Sequence, residues 1–183
     1  MKVDGMKEES ANGLHWYALK VFYNKLAPIT GQLDIDGFDY YVPMHLVENA
    51  SHNGYIKKPL INSLLFIRVT PLYTKFIQNR FNQQMMFYKM MDKKTYAIIP
   101  DAQMENFILC TSIQEDGRLD VIGADRPEYH VGEHVRVIGG VFKGLEGHIK
   151  RIKKDRRLIV SIEGVVAVAT EYIPRDFLEV IDD

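Results

Sequence analysis

The sequence is poor in cysteine, in long apolar runs and in net charge, and each shortage excludes a class of protein. Its single cysteine, Cys110, has no partner for an intramolecular disulfide and excludes a zinc site built from several cysteines. No apolar run approaches the roughly 20 residues that a membrane-spanning helix requires. Residues 1–12 are charged and are not followed by the apolar core of a secretory signal, so we expect a cytoplasmic location and no membrane partner.

The charge balance excludes proteins that bind nucleic acid through bulk charge alone. Lysine and arginine total 23 and aspartate and glutamate total 24, a net charge of −1, unlike a histone or a basic ribosomal protein. Hydrophobic residues make up 46% of the chain, which is typical of a folded protein. At roughly 100–200 residues per domain, the 183 residues predict one domain or two small ones.

Motifs for catalysis, metal binding and phosphate binding are also lacking. The six histidines form no His-Glu-x-x-His motif, and Gly132 makes a helical pairing of His130 with His134 unfavourable. Cys110 has no nearby base and is typical of a small core residue. The glycines at 139, 140 and 144 stand between predicted strands and not before a helix, where phosphates bind. We therefore expect no enzyme, no metal and no cofactor; a hydrolase or transferase would have no candidate catalytic set.

A composition shift divides the chain. Residues 111–130 hold five acidic and two basic residues together with glycine and proline, which indicates a linker. Leu119, Val121 and Ile122 within it could still pack on a neighbour. The sequence therefore predicts a disordered tail at 1–13, a first domain at 14–110, a linker at 111–130 and a second domain at 131–183.

The first domain mixes strands and helices. Strands are predicted over 15–23, 38–44, 60–69 and 85–91, with a hairpin over 48–58 and helices near 24–37, 70–81 and 100–110. Asn24 is the expected cap of the first helix and Gly37 its end. Leu72, Phe76 and Ile77 are expected on one side of the second helix. The β-α-β-β-α-β-α order favours a split β-α-β sheet covered by helices.

The second domain is predicted to be all β. Five short strands, rich in β-branched residues and separated by glycines, favour a small closed barrel. They are predicted over 135–138, 148–152, 158–162, 165–169 and 177–181. Within it, Gly132–Ile149 has a specific layout of strand, glycine turn, Phe142, two further glycines and a second strand. Phe142 is placed either to plug the barrel mouth or to face a partner; a turn-rich SH3-like barrel alone would also explain the pattern.

The segment GEHVRVIGGVFKGLEGHI resembles the KOW motif of NusG-type transcription elongation factors. The segments His15–Phe22 and Lys57–Val69, with Tyr41-Val42-Pro43 between them, resemble the N-terminal domain of the same family. The resemblance covers about residues 14–183 and is closest to UpxY-type antiterminators of capsular polysaccharide loci, with RfaH-type factors as functional relatives. Asn62-Ser63 replaces the usual Pro-Gly or Pro-Asn, and Val141 replaces a frequent proline.

The resemblance implies a fold and a binding function. The fold is an α+β N-terminal domain, an antiparallel sheet with helices, followed by an all-β SH3-like KOW barrel. The function is an antitermination or elongation factor that binds the RNA polymerase clamp helices and suppresses pausing or termination, in a specific operon such as a capsular polysaccharide locus. The KOW domain would recruit a termination factor or a ribosomal protein, and non-template DNA or nascent RNA would be a further contact.

The resemblance also implies polymerase-binding residues. Strand alternation puts Trp16, Ala18, Lys20 and Phe22 on one face of the first strand and Tyr17, Leu19 and Val21 on the other. An ordinary core position explains Trp16 and Phe22 equally well. The residues that the resemblance assigns to the polymerase are Trp16, Lys20, Phe22, Leu60, Ile61 and Thr74.

Cations suggest where nucleic acid and partners would bind. Between Asp39 and Asp92 the only acidic residue is Glu48, so the cations there could line a DNA strand or form a solvated face. The predicted nucleic-acid contacts are Lys57, Lys58 and Arg80, and the predicted KOW partner contacts are Phe142 and Lys143. A second basic run, 150–157, keeps an alternative function open, a ribosome- or RNA-binding KOW protein.

Overall fold

The computed structural model describes residues 13–49, 54–90, 94–113, 119–123, 129, 131–152 and 154–181. The predicted tail lies outside the described residues up to residue 12, and so do Asn53 in the predicted hairpin turn and much of the predicted linker. The chain divides into two units, Met1–Val42 with Ile61–Asp101 and Pro43–Leu60 with Ala102–Asp183, and each is described by itself. The domain boundaries given above remain predictions.

The elements follow one another along the chain in an order that begins α+β and ends all β. They are β1 (His15–Val21), α1 (Leu26–Asp36), β2 (Asp39–Tyr41), β3 (Met44–Asn49), β4 (Gly54–Pro59), β5 (Leu64–Val69), α2 (Pro71–Arg80), β6 (Met85–Phe87), β7 (Ile98–Ile99), α3 (Asp101–Ser112), β8 (Leu119–Gly123), β9 (His134–Val137), β10 (Glu146–Ile152), β11 (Asp155–Ile162), β12 (Val166–Tyr172) and β13 (Leu178–Val180).

The first unit is built on an antiparallel sheet with β1 at its centre. The strands run in the order β2-β5-β1-β6, and β7 also pairs with β1. Tyr17, Leu19 and Val21 of β1 belong to a core cluster that also contains Ile29 of α1 and Ile77 of α2. The core face of β1 is therefore the Tyr17 face, although Ala18 on the opposite face is also buried.

The first helix ends as predicted but begins differently. Gly37 adopts φ 69°, and its N–H donates to the carbonyls of Leu33 and Asp34, the left-handed ending that glycine favours. The predicted cap Asn24 is wrong, because Lys25 occupies the N-cap position without a side-chain hydrogen bond. Asn24 instead has φ 57°, a backbone conformation that asparagine tolerates better than most residues.

The predicted inner side of α2 is corrected by the structure. Leu72 is 87% exposed and Phe76 is 46% exposed, whereas Thr74 and Ile77 are buried. Burial at positions 70, 74, 77 and 81 follows the helical period, so the stripe is real but contains two threonines. Thr74 can be buried because its hydroxyl donates to the carbonyl of Pro71 at 2.7 Å.

All four strand predictions in the first half of the chain change in length. The strand predicted over 15–23 ends at Val21, and the strand predicted over 38–44 is reduced to Asp39–Tyr41. The strand predicted over 60–69 begins only at Leu64, because residues 60–63 form a bend and turn. The predicted strand 85–91 ends at Phe87, and the two-residue strand β7 was not predicted. The predicted hairpin is confirmed as β3 paired with β4, from Met44 opposite Pro59 to Asn49 opposite Gly54.

The second unit contains a six-stranded antiparallel sheet in the order β13-β9-β10-β11-β12-β8. All five predicted strands are present, which confirms an all-β, SH3-like architecture. The sixth strand, β8, lies within the predicted linker and pairs with β12. Arg157 bonds Asp120 of β8, and the hydroxyl of Tyr129 donates to the carbonyl of Ile122 at 3.2 Å.

Helix α3 belongs to the second unit by its contacts, and Asn106 fixes it to β10. The Asn106 amide donates to the carbonyl of Glu146 at 2.7 Å and accepts from the N–H of Glu146 at 2.9 Å. Cys110 is buried as predicted, together with Met104 and Phe107. Burial raises the pKa of the Cys110 thiol to about 12, so the thiol stays protonated and unreactive at neutral pH.

Candidate functional site

One end of β1 brings together three of the residues predicted to bind a partner. Lys20 lies opposite Leu64 of β5 on one side and Met86 of β6 on the other. The N–H of Val21 donates to the carbonyl of Ser63 at 2.9 Å, which holds the turn that contains Ile61 beside the strand. We call Lys20, Phe22, Ile61 and Met86 the β1-end surface.

The β1-end surface combines a cation with partly exposed apolar groups. Lys20 is exposed, Met86 is 48% exposed, and Phe22 and Ile61 are half-buried. The backbone beneath it is fixed, because the N–H of Phe22 donates to the carbonyl of Gln84 at 2.9 Å and that of Leu64 to Ile61 at 3.2 Å. Methionine adapts its shape to a partner, and apolar groups around one cation are typical of a protein-binding surface.

Trp16 shares a strand face with Lys20 but lies at the other end of β1. They are four positions apart, about 13 Å along an extended strand. The guanidinium of Arg68 lies 5.9 Å from the centre of the Trp16 ring, and Arg68 is also 3.7 Å from a carboxylate oxygen of Asp101. The structure therefore places Trp16 in a contact of its own and not on the β1-end surface.

Two other residues predicted to bind the polymerase have internal roles. Thr74 is buried, and its hydroxyl is bonded within α2, so its side chain offers no surface to a partner in this conformation. Leu60 belongs to the second unit, is half-buried, and donates its N–H to the carbonyl of Pro43 at 2.8 Å. Leu60 thus closes the base of the β3–β4 hairpin.

The predicted nucleic-acid residues lie on two separate elements. Arg80 at the end of α2 is 2.9 Å from a carboxylate oxygen of Asp36, and its guanidinium lies 5.7 Å from the centre of the Phe76 ring. Part of its charge is thereby neutralised, while the ring beneath it stays partly exposed. Lys57 and Lys58 are exposed on β4.

The glycine-rich turn after β9 separates the two predicted KOW contacts. Phe142 is 4% exposed, so its ring fills the interior, whereas Lys143 and Val141 face solvent. The turn is closed by a hydrogen bond from the N–H of Gly144 to the carbonyl of Val137 at 2.7 Å, and Gly144 adopts φ 94°. In this conformation Lys143 is accessible from outside, and Phe142 is a buried plug beneath the turn.

Sequence reasoning missed Met86 and the outer surface of α2. The exposure of Met86 could have been predicted, because it stands between the core residues Met85 and Phe87 and strand alternation places it on the opposite face. The exposure of Leu72 and Phe76 could not, because apolar residues at helical spacing normally indicate the buried side.

The described residues offer no alternative site of metal or membrane type. In this part of the chain, no group of three or more His, Cys, Asp or Glu residues is arranged to hold a metal ion. None of the helices described is both long enough and apolar enough to span a bilayer.

The described residues thus combine an antiparallel sheet packed with helices and a separate SH3-like antiparallel sheet. The family model described as "Transcription termination factor nusG" matches residues 14–108, just over half of the chain. The chain therefore belongs to the NusG family, whose members are transcription factors that interact with RNA polymerase.

Solved structures of similar fold include a NusG protein. The structure described as "Domain interaction in Thermotoga maritima NusG" is 15% identical, with a TM-score of 0.49, over 92% of this chain and 98% of that chain. No curated protein gives a significant match. The family assignment rests on the matched residues 14–108.

Proposed function

We propose that this chain is an elongation factor that docks its β1-end surface on the clamp helices of RNA polymerase. The observation that carries the proposal is the grouping of exposed Lys20 and Met86 with half-buried Phe22 and Ile61 on a fixed strand end. A helical partner would bury the apolar groups, while Lys20 would pair with a carboxylate at the rim. Trp16, Leu60 and Thr74, which the resemblance also assigns to the polymerase, are not part of this surface.

The same factor would suppress pausing or termination in a specific operon, such as a capsular polysaccharide locus. The resemblance to UpxY-type and RfaH-type antiterminators supports this narrower function. Holding the clamp closed over DNA is a binding mechanism, which agrees with a family of non-enzymatic factors. Lys143 on the KOW turn would meet a termination factor or a ribosomal protein.

Contact with non-template DNA would come from Arg80 and from Lys57 and Lys58. Arg80 lies over a partly exposed aromatic ring, an arrangement in which a phosphate and a base could be held together. Asp36 would compete with the phosphate for Arg80, so this contact would add orientation more than affinity.

Co-purification with bacterial core RNA polymerase tests the docking surface. Wild type should co-elute with the polymerase, and the Lys20→Glu, Ile61→Glu double variant should not, because it buries two unpaired carboxylates in the interface. The matched control is Lys25→Glu, Ile35→Glu, which makes the same charge change at exposed positions of α1 and its N-cap. Loss of binding in the control as well, or retention in both variants, would argue against this surface.

Single-round transcription tests the narrower function. On a template from its own operon, the factor should increase read-through of a terminator and shorten pauses. On unrelated templates a specialised factor should have little effect. Equal stimulation on all templates would favour a general elongation factor instead.

A further inference from the structure

A basic cleft lies on the second unit, far along the sequence from the residues of the β1-end surface. It has a volume of about 370 Å³ and is lined by Arg151, Lys154, Asp155, Arg156, Tyr172, Ile173, Arg175 and Leu178. Four of these residues are cations and only Asp155 is acidic. The cleft therefore favours a ligand with negative charge.

The cations of the cleft stand in an arrangement that is unfavourable without an anion. Arg151 of β10 lies directly opposite Arg156 of β11, and like charges in that position destabilise a sheet. In the neighbouring pair, Lys150 opposite Arg157, both charges are compensated within the protein. Arg157 bonds Asp120, and Lys150 lies 5.2 Å from the centre of the Tyr129 ring.

By contrast, Arg151, Arg156 and Arg175 form no ion pair with a carboxylate in the described part of the chain. All three side chains belong to exposed residues. Their positive charge is therefore available to a ligand that enters the cleft.

An aromatic ring stands among these cations. Tyr172 at the end of β12 is 57% exposed although it is a large and partly apolar side chain. Exposed aromatic rings between arginines are typical of sites where bases stack and phosphates are paired. An acidic peptide would use the cations but would gain little from the ring.

We propose that this cleft binds single-stranded RNA, with one base stacked on Tyr172 and its neighbouring phosphates paired with Arg151, Arg156 and Arg175. The volume suits a single nucleotide, and longer RNA would continue along the basic hairpin. For a factor of a transcription family, the transcript is a single strand within reach, and the comparison with DNA described below distinguishes it from the non-template strand. The binding requires no polymerase, so it goes beyond the docking function and is tested separately.

Fluorescence anisotropy on the full chain tests the cleft with a labelled, unstructured RNA of about 12 nucleotides. Binding should be saturable and should weaken with salt, with a log–log slope of about −2, because three arginines pair with phosphates. The Arg151→Gln, Arg156→Gln double variant should reduce that slope by about 1.4. The control Arg136→Gln removes an exposed arginine that pairs with Glu146 at 2.7 Å, and it should leave the slope unchanged.

Variants of Tyr172 test the stacking separately from the charge. Tyr172→Ala should weaken RNA binding about tenfold or more, and Tyr172→Phe should retain it, because only the ring is required. Circular dichroism establishes that each variant is folded before it is compared. Equal weakening by Tyr172→Ala and Tyr172→Phe would contradict stacking.

Competitors identify the ligand class. An unlabelled RNA of the same sequence should displace the probe, whereas a glutamate-rich peptide of equal charge should not. Absence of RNA binding by folded wild type, an unchanged slope in the double variant, or displacement by the peptide at equal concentration would overturn the proposal. Tighter binding of the matching DNA would overturn the assignment to RNA.

Discussion

Gly147 shows how one missing side chain decides the packing of the second sheet. A Cβ at this position would lie 2.2 Å from the carbonyl oxygen of Ile159 and 3.1 Å from its carbon, atoms of the neighbouring strand that cannot move independently. We expect Gly147→Ala to lower the free energy of unfolding by about 1–3 kcal/mol or more. Urea unfolding of the full chain measures it.

Gly31 is the matched control for this substitution. It lies in α1, and a Cβ there would meet nothing within 4 Å. Gly31→Ala should raise the free energy of unfolding by about 0.5–1 kcal/mol, since alanine is the better helix former. A loss of stability at Gly31 equal to that at Gly147 would contradict the close approach of β10 and β11.

Cys110 makes stability depend on pH in the alkaline range. Its pKa rises from 9.0 to about 12 on folding because burial disfavours the thiolate. Above pH 9 the unfolded chain loses this proton and the folded chain keeps it, so stability falls as the pH rises. Between pH 9 and 10 the expected loss from this group is about 1 kcal/mol.

Cys110→Ala isolates that contribution. Urea unfolding at pH 8 and pH 10 should show a smaller difference in the variant than in wild type, although the variant is less stable at both values. Tyrosines titrate in both proteins alike and cancel in the comparison. An identical pH dependence in the two proteins would show that the thiol is not buried as described.

At the level of single residues, the sequence predicts the periodicity of an element better than it predicts which of its faces is buried. Alternation in β1 correctly separated Tyr17 from Lys20, because a strand has only two faces. In α2 the apolar residues misled, since Thr74 satisfies its own hydroxyl and takes an inner position while Leu72 is exposed. Hydrophobicity alone cannot reveal a polar group that finds its partner within its own helix.

At the scale of elements, β8 is a strand inside a segment whose composition indicates a linker. Ile122 packs on a cluster formed by Ile159, Ala167 and Ala169, whereas Val121 is exposed. Ile122→Ala should therefore lower the free energy of unfolding by about 1–2 kcal/mol, and Val121→Ala by less than about 0.5 kcal/mol. Urea unfolding of the full chain compares the two.

Hydrogen exchange provides an independent measure of β8. Val168 of β12 lies opposite Val121, so the amides of β12 should be protected as long as β8 stays paired. Ile122→Ala should speed exchange in β12 more than Val121→Ala does. Equal effects of both substitutions, small in stability and in exchange, would indicate that 119–123 is not part of the sheet.

Elements with strong local signals were predicted, and those fixed by tertiary pairing were not. Gly37 ends α1 and Asp101 begins α3 through local backbone chemistry that the sequence displays. The two-residue strand β7 pairs with Trp16 and Tyr17 of β1, beyond the part of β1 that pairs with β6. A stretch of two residues carries too little local pattern to predict such a pairing. The acidic composition around β8 likewise hides its pairing with β12.

At the scale of the whole molecule, the α+β then all-β architecture was predicted correctly from element order and from the KOW-like glycine turn. The site residues stay a prediction: Lys20, Phe22 and the turn with Ile61 lie at one end of β1, whereas Trp16 lies at its other end and Thr74 is buried in α2. Strand order determines which residues become neighbours, and strand order follows from long-range pairing that a single sequence does not state.

Direct binding to the isolated clamp-helix region of the polymerase largest subunit tests the central claim, that the β1-end surface is the docking surface. In calorimetry with the full chain, wild type and the Lys25→Glu, Ile35→Glu control should bind saturably, and the Lys20→Glu, Ile61→Glu variant should not bind. Absence of binding by folded wild type, or equal binding by all three proteins, would contradict it.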